Sequence, residues 1–271
     1  MKFFAIFIDT FREIRDKKML ITFGIITAIF ACTYIFGLST KPAGNGNIET
    51  TFFGDSETIN AIEFVQKQMM FFSHVTTGII LFLFIITFAF VIANLLKPGT
   101  LDLHLSKPLW RPQLLLYKFL ACVSGVLVLM LIMTATFWSI LSWKAGVITL
   151  QPFIFTFMAA AIFAISFSVI TFCCVLTRGA GAGISIYLVY AYLLQGVLQS
   201  RESIKAGIDS PLLANVLDSA YHILPKINEC LTIATKMSSG KETNFYPLTS
   251  SLIFMGVTLI VSCIIFQRKD Y

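Results

Sequence analysis

Six apolar runs, each close to the length of a bilayer crossing, decide what this chain can become. They cover about 19–38, 71–95, 113–142, 153–176, 180–198 and 247–266. A helix needs roughly 20 residues, at about 1.5 Å of rise each, to cross hydrocarbon. Of the 271 residues, 57% are hydrophobic and 13% charged; a soluble domain has roughly 45–50% and 25%. The runs therefore imply an all-α membrane protein with six transmembrane helices. The third is long enough to tilt or to project beyond the bilayer.

The charges between the runs predict an orientation, because short cytoplasmic connections collect Lys and Arg. Lys2, Arg12, Arg15, Lys17 and Lys18 precede the first run, and Lys97, Lys107 and Arg111 lie between the second and third. Arg178 follows the fourth run and Arg268 and Lys269 follow the sixth. On the other side, Lys41 and Lys67 face Glu49, Asp55, Glu57 and Glu63, and the third connection holds only Lys144. Both termini are expected in the cytoplasm of a plasma (inner) membrane. The first run is expected to stay in the protein, since no small-residue cleavage site follows it. The positive net charge then reflects topology and anionic lipid, with no nucleic-acid module in view.

The domain plan that follows is an interfacial helix over 1–18 and a six-span domain over 19–271, with external segments 39–70 and 199–246. In the first piece Phe3, Phe4, Phe7, Ile8, Phe11 and Ile14 share one helical face, and Asp9, Arg12, Glu13 and Asp16 the other. Such a helix lies in a membrane interface. Segment 39–70 opens with Pro42, Gly44, Asn45 and Gly46, a loop composition. Asp55 or Ser56 is then positioned to cap a helix through Ile59, Ile62 and Val65 into the second span. Segment 199–246 holds two short amphipathic helices, one ended by Pro225, that sit in the outer interface or dip into it.

Chemistry is sparse. The runs contain no Asp or Glu, and Lys118 and Arg178 lie near enough to the cytoplasmic face to snorkel. Ion-coupled carriers usually keep ionisable groups at depth. No G-x-x-x-x-G-K-[ST] loop, hydrolytic triad or Cys/His metal constellation is present, so neither a catalytic nor a metal-binding residue is expected. In the fifth run Tyr187, Tyr190 and Gln195 supply polar edges for a translocation path or for ordinary helix–helix bonding. Gly179, Gly181 and Gly183, interleaved with Ala180 and Ala182, allow close helix approach there.

One connection is too long and too patterned for a plain link. Lys97-Pro98-Gly99-Thr100-Leu101-Asp102-Leu103-His104-Leu105-Ser106-Lys107-Pro108-Leu109-Trp110-Arg111-Pro112 alternates leucines with polar groups between helix breakers. With Leu114 to Phe119 it resembles the G-T-l-x-l-l-l-S-K-P-x-x-R pattern of ABC-2 type transporter permeases. Where that family often has acidic residues before the Gly-Thr pair, this chain has Leu95, Leu96 and Lys97. Thr10 to Lys17 is similar to the family's opening T-x-R-E-x-x-x-K helix.

The resemblance implies a permease subunit, exporting more often than importing, that works with a second permease copy or homologue. It also implies two cytoplasmic ATP-binding subunits that hold the ATP and Mg. Residues for coupling to those subunits would be Gly99, Thr100, Asp102, Ser106, Lys107, Pro108 and Arg111 in the bridge, with Arg12, Glu13 and Arg15 in the first helix. The alternative is a membrane anchor or assembly subunit whose external segments hold an accessory enzyme or envelope machine. A channel is a weaker third, for want of a filter-like segment.

Overall fold

A computed structural model describes residues 2–16, 18–44, 47–52, 55–96, 110–177, 179–206, 211–238 and 244–269. Six of its helices are long and apolar enough to cross a membrane. The first span is Met19–Gly37 and the third is Arg111–Ala145. The fourth is Gln151–Thr177 and the sixth Tyr246–Arg268. The second and fifth are composite. Ala61–Val75 runs through a π-helical turn, Thr76–Ile80, into Leu81–Leu95. Ala180–Leu188 runs through a second, Val189–Leu194, into Gln195–Gln199.

Helix α1, Lys2–Asp16, turns into the first span at Lys18, whose backbone is left-handed (φ 57°). The spans then alternate between an end that carries α1 and an end that carries a small sheet. The fold is mainly helical, as an all-α membrane protein should be, and the sheet is a small addition in segment 39–70. Strands β1 (Leu38–Gly44), β2 (Asn47–Phe52) and β3 (Asp55–Asn60) pair antiparallel in the order β1-β2-β3. The physical reason is a period of two: Ile48 and Thr50 are buried while Glu49 between them is exposed. Asp55 and Ser56 thus belong to a strand and not to a helix start. The helix starts at Ala61, where Asn60 Oδ1 accepts the Ile62 N–H at 3.0 Å.

The fourth span is the hub, with 78% of its apolar window buried against 11% for the first span and 17% for the sixth. Its Phe163 and Phe167 stack at 5.2 Å; Phe88 of the second span meets Phe163 at 5.7 Å, and Phe119 of the third stacks on Phe167 at 5.4 Å. Aromatic pairs at these distances add to plain area burial. Thr134 and Thr156 share a hydrogen bond of 2.7 Å between the third and fourth spans. The first span is fastened at its sheet end: Lys144 Nζ donates to the carbonyls of Ile35 (2.7 Å) and Leu38, and Thr40 Oγ1 donates back to Lys144 O at 2.6 Å. The lysine satisfies carbonyls that a helix end leaves open.

Of the small-residue run that opens the fifth span, one member makes a tight contact. A Cβ on Gly183 would fall 2.8 Å from Cys174 Sγ and 3.4 Å from Ile170 O, whereas Gly181 has open space. We expect Gly183→Val to cost about 1–3 kcal/mol through overpacking and Gly181→Val to be nearly silent. Thermal unfolding of both variants in the same lipid checks this.

Candidate functional site

Two candidate sites lie one at each end of the bundle. At the α1 end, Ile6, Thr10 and Ile14 recur every four residues and are all buried, which seats α1 on the third span. Beside that stripe Glu13 accepts from two partners: Lys118 Nζ at 2.9 Å and Asn94 Nδ2 at 3.3 Å. Asp9 Oδ2 lies 3.5 Å from the same ammonium. Lys118 is 2% exposed. The snorkelling expectation for Lys118 is therefore corrected: the side chain points inward because Asp9 and Glu13, one turn apart, bring two carboxylates to it.

This geometry divides the first-helix residues that the resemblance singles out. Arg12 and Arg15 are exposed, and Arg15 lies 3.7 Å from Asp16. Glu13 faces the spans. Arg111 Nη1 donates to Lys269 O at 3.4 Å, and Lys269 Nζ donates to Leu176 O (2.6 Å) and Val175 O (3.3 Å). The start of the third span, the end of the fourth and the end of the sixth are thereby joined. Gly99, Thr100, Asp102, Ser106, Lys107 and Pro108 lie outside the described residues, as does Arg178. Near the C-terminal end of the bridge, Trp110 is 67% exposed.

At the sheet end the segment between the fifth and sixth spans forms a helical hairpin, Pro211–Ile223 and Ile227–Ser238, preceded by a short helix, Arg201–Ala206. Its second helix packs on the fourth span and buries Ile227, Cys230 and Ile233. The turn is driven inward with it. The Pro225 carbonyl accepts from Tyr190 Oη and from Gln195 Nε2 (2.6 Å), and Gln195 Nε2 also donates to Tyr190 Oη. Lys226 N–H donates to Ser251 Oγ at 2.9 Å. The Pro225 carbonyl lies in the turn, outside both helices, and a buried carbonyl needs donors; the fifth span supplies two.

Tyr187, Tyr190 and Gln195 are all buried. The latter two are hairpin anchors, while Tyr187 lines a cavity of about 180 Å³. Gly78 and Ile85 of the second span, Ile162 of the fourth, Ala191 of the fifth and Asn228 of the hairpin also line it. Gly78 and Ala191 belong to the two π-helical turns, a geometry that departs from regular helix pairing and is frequent at functional sites. The pairing of Pro225 with Tyr190 and Gln195 spans 35 and 30 residues, a separation at which one sequence carries no signal.

Among the described residues no group of three His, Cys, Asp or Glu side chains is placed to hold a metal. A comparison with curated proteins gave no match. The family model described as ABC-2 family transporter protein matches residues 4–271. With nearly its whole length inside that match, the chain belongs to the ABC-2 transporter family and is a multi-pass permease component of an ABC transporter.

Proposed function

We propose that this chain is the membrane half of an ATP-driven exporter, with both termini cytoplasmic, and that ATP and its Mg are handled by two separate subunits docked at the α1 end. One observation carries the coupling role: the Lys118–Glu13–Asp9 clamp, which ties α1 to the third span just after the bridge at 97–112. A push on either the bridge or α1 then moves both, and the third span with them. The basic residues concentrated at that end support its cytoplasmic placement.

Helix lengths support the same reading. The apolar window of the first span, Leu20–Gly37, has 18 residues, about 27 Å at about 1.5 Å each, close to the hydrocarbon thickness. Its outer end is fastened to Lys144. From Lys144 to Lys118 is about 39 Å of helix axis, so Lys118 and α1 fall at the inner headgroup level. Arg111 lies about 10 Å further out. The third span thus carries Arg111 beyond the lipid, within reach of a soluble subunit.

ATP-driven closure of the partners would tilt the spans and switch the path between inward and outward states. The cavity beside Tyr187 is our candidate for part of that path, in a dimer with a second copy or homologue. Its mainly apolar wall favours an amphiphile over an ion. The test is co-purification with the ATP-binding subunit after Lys107→Glu, after Arg12→Glu with Arg15→Glu, and after disruption of Gly99-Thr100. We expect the partner to be lost in each case. Association and turnover that survive all three would overturn the assignment.

A further inference from the structure

At the sheet end the first and second spans leave a groove between them. Its volume is about 680 Å³, within the range of sites that hold a small molecule. Ile29, Thr33 and Tyr34 line one side, and Lys67, Gln68 and Phe71 the other. The walls are braced from behind. Phe30 meets Phe72 edge-on at 6.5 Å, and Phe72 and Tyr34 both pack on Phe137 of the third span, at 4.4 and 4.6 Å. Tyr34 Oη donates to Gln68 Oε1 at 2.8 Å across the groove.

One end of the groove is apolar and the other polar. Ile29 and Phe71 are 60% and 55% exposed, and Thr33 Oγ1 is spent on Ile29 O at 2.8 Å. The apolar window of the first span ends at Gly37. At about 1.5 Å per residue, Tyr34 lies about 4.5 Å from that end and Ile29 about 12 Å. The Tyr34–Gln68 bond brings Lys67 and Gln68 to the upper level, where hydrocarbon gives way to headgroups. With its Oε1 taken by Tyr34, Gln68 has amide N–H groups that meet no partner among the described residues.

The charges at this mouth are open to exchange. Lys67 Nζ lies 3.6 Å from Glu57 Oε2 of β3, and both side chains are 66% exposed. A pair that open contributes little, so each member can trade its partner for a ligand's. Glu63 stands one helical turn before Lys67 on the same face. One cation beside two carboxylates suits a headgroup carrying both signs better than a purely anionic one.

We propose that this groove binds one phospholipid whose zwitterionic headgroup carries a primary ammonium. The phosphate sits on Lys67, the ammonium donates to Glu57, and an ester carbonyl accepts from Gln68. One acyl chain descends past Phe71 to Ile29. A primary ammonium keeps N–H donors for a charge-assisted bond to the carboxylate, and a trimethylated one has none. Only 11% of the first span's apolar window is buried, so the lipid supplies packing that side chains do not. It ties the first span to the second. The site stands without the permease reading; only its assignment to the outer leaflet rests on that reading.

The experiment is native mass spectrometry of the full-length chain, delipidated in detergent and offered equal amounts of dioleoyl phosphatidylethanolamine, phosphatidylcholine and phosphatidylglycerol. Wild type should retain one phosphatidylethanolamine, several-fold in excess of either other lipid. Lys67→Glu should cut that retention several-fold. Glu57→Gln should bring phosphatidylethanolamine down to the phosphatidylcholine level and leave phosphatidylcholine unchanged. Ile29→Trp fills the apolar end and should abolish retention, whereas Ile253→Trp, at an exposed position of the sixth span, should not.

Equal retention of the three lipids by wild type, or a preference for phosphatidylglycerol, overturns the proposal. So does phosphatidylethanolamine retention that is unchanged in any of the three groove variants. Lipid kept by the monomer and excluded from a dimer would give the groove to a second copy, which also overturns it. If Ile29→Trp does not fold, the two charge variants, both at exposed side chains, decide the outcome. The measurement needs neither ATP nor transport, so its failure counts against the lipid site and leaves the permease reading standing.

Discussion

Lys118→Met should detach α1 and disconnect the permease from ATP hydrolysis, with the largest loss of any single substitution described. The lysine is 2% exposed and Glu13 faces it at 2.9 Å, so removing the ammonium leaves a carboxylate turned into the bundle without its main counter-charge. Breaking one side of a buried pair costs about 3 kcal/mol, more than the seating of one amphipathic helix can absorb. Removing the charges together is a different matter. Lys118→Met combined with Glu13→Gln and Asp9→Asn leaves no unpaired charge, and the Ile6–Thr10–Ile14 stripe is intact. We expect that triple variant to keep α1 docked yet transmit force poorly. The measurement is limited proteolysis of α1 alongside substrate-stimulated ATPase activity in the complex. The single variant should be cleaved readily and lose stimulation about tenfold, whereas the triple should resist cleavage and recover part of it. Equal behaviour of the two would remove the electrostatic argument, since it predicts non-additivity between contacting charges.

The contrast with the sequence reading is physical. Hydrocarbon thickness sets a length that apolar runs must match, so the six spans could be located within a few residues, and the helix leading into the second was legible too, though it starts at Ala61 and not at Asp55 or Ser56. Lys144, read only as an isolated charge, closes the end of a helix more than 100 residues away. The sheet was hidden because only Ile48 and Thr50 carry its alternation, set among Gly, Asn and Pro that also describe a loop. Lys118 was misread because depth in a span suggests snorkelling, and only the fold brings Asp9 and Glu13 to it. The bridge offered the family resemblance, while the clamp that connects it to the first helix depended on three-dimensional packing.

The hairpin anchor is the other place where a small change should act strongly. Tyr190→Phe with Gln195→Leu removes both side-chain donors to the Pro225 carbonyl while nearly preserving volume. Each lost donor costs about 1–3 kcal/mol when the acceptor stays buried, and hydrocarbon offers no water as a substitute. The single variants should be milder, because either remaining donor can still satisfy the carbonyl. The double variant then exposes the turn, and Cys230, one helical turn beyond Lys226 and fully buried in the seated hairpin, becomes reachable. Maleimide labelling of Cys230 in a background lacking the other five cysteines reads this directly. We expect labelling to rise at least tenfold in the double variant and only slightly in each single one. Labelling that stays at the wild-type level would mean that Ser251 and the buried Ile227–Cys230–Ile233 face hold the hairpin without help. The Tyr190–Gln195 pair would then be free to serve the path rather than the turn.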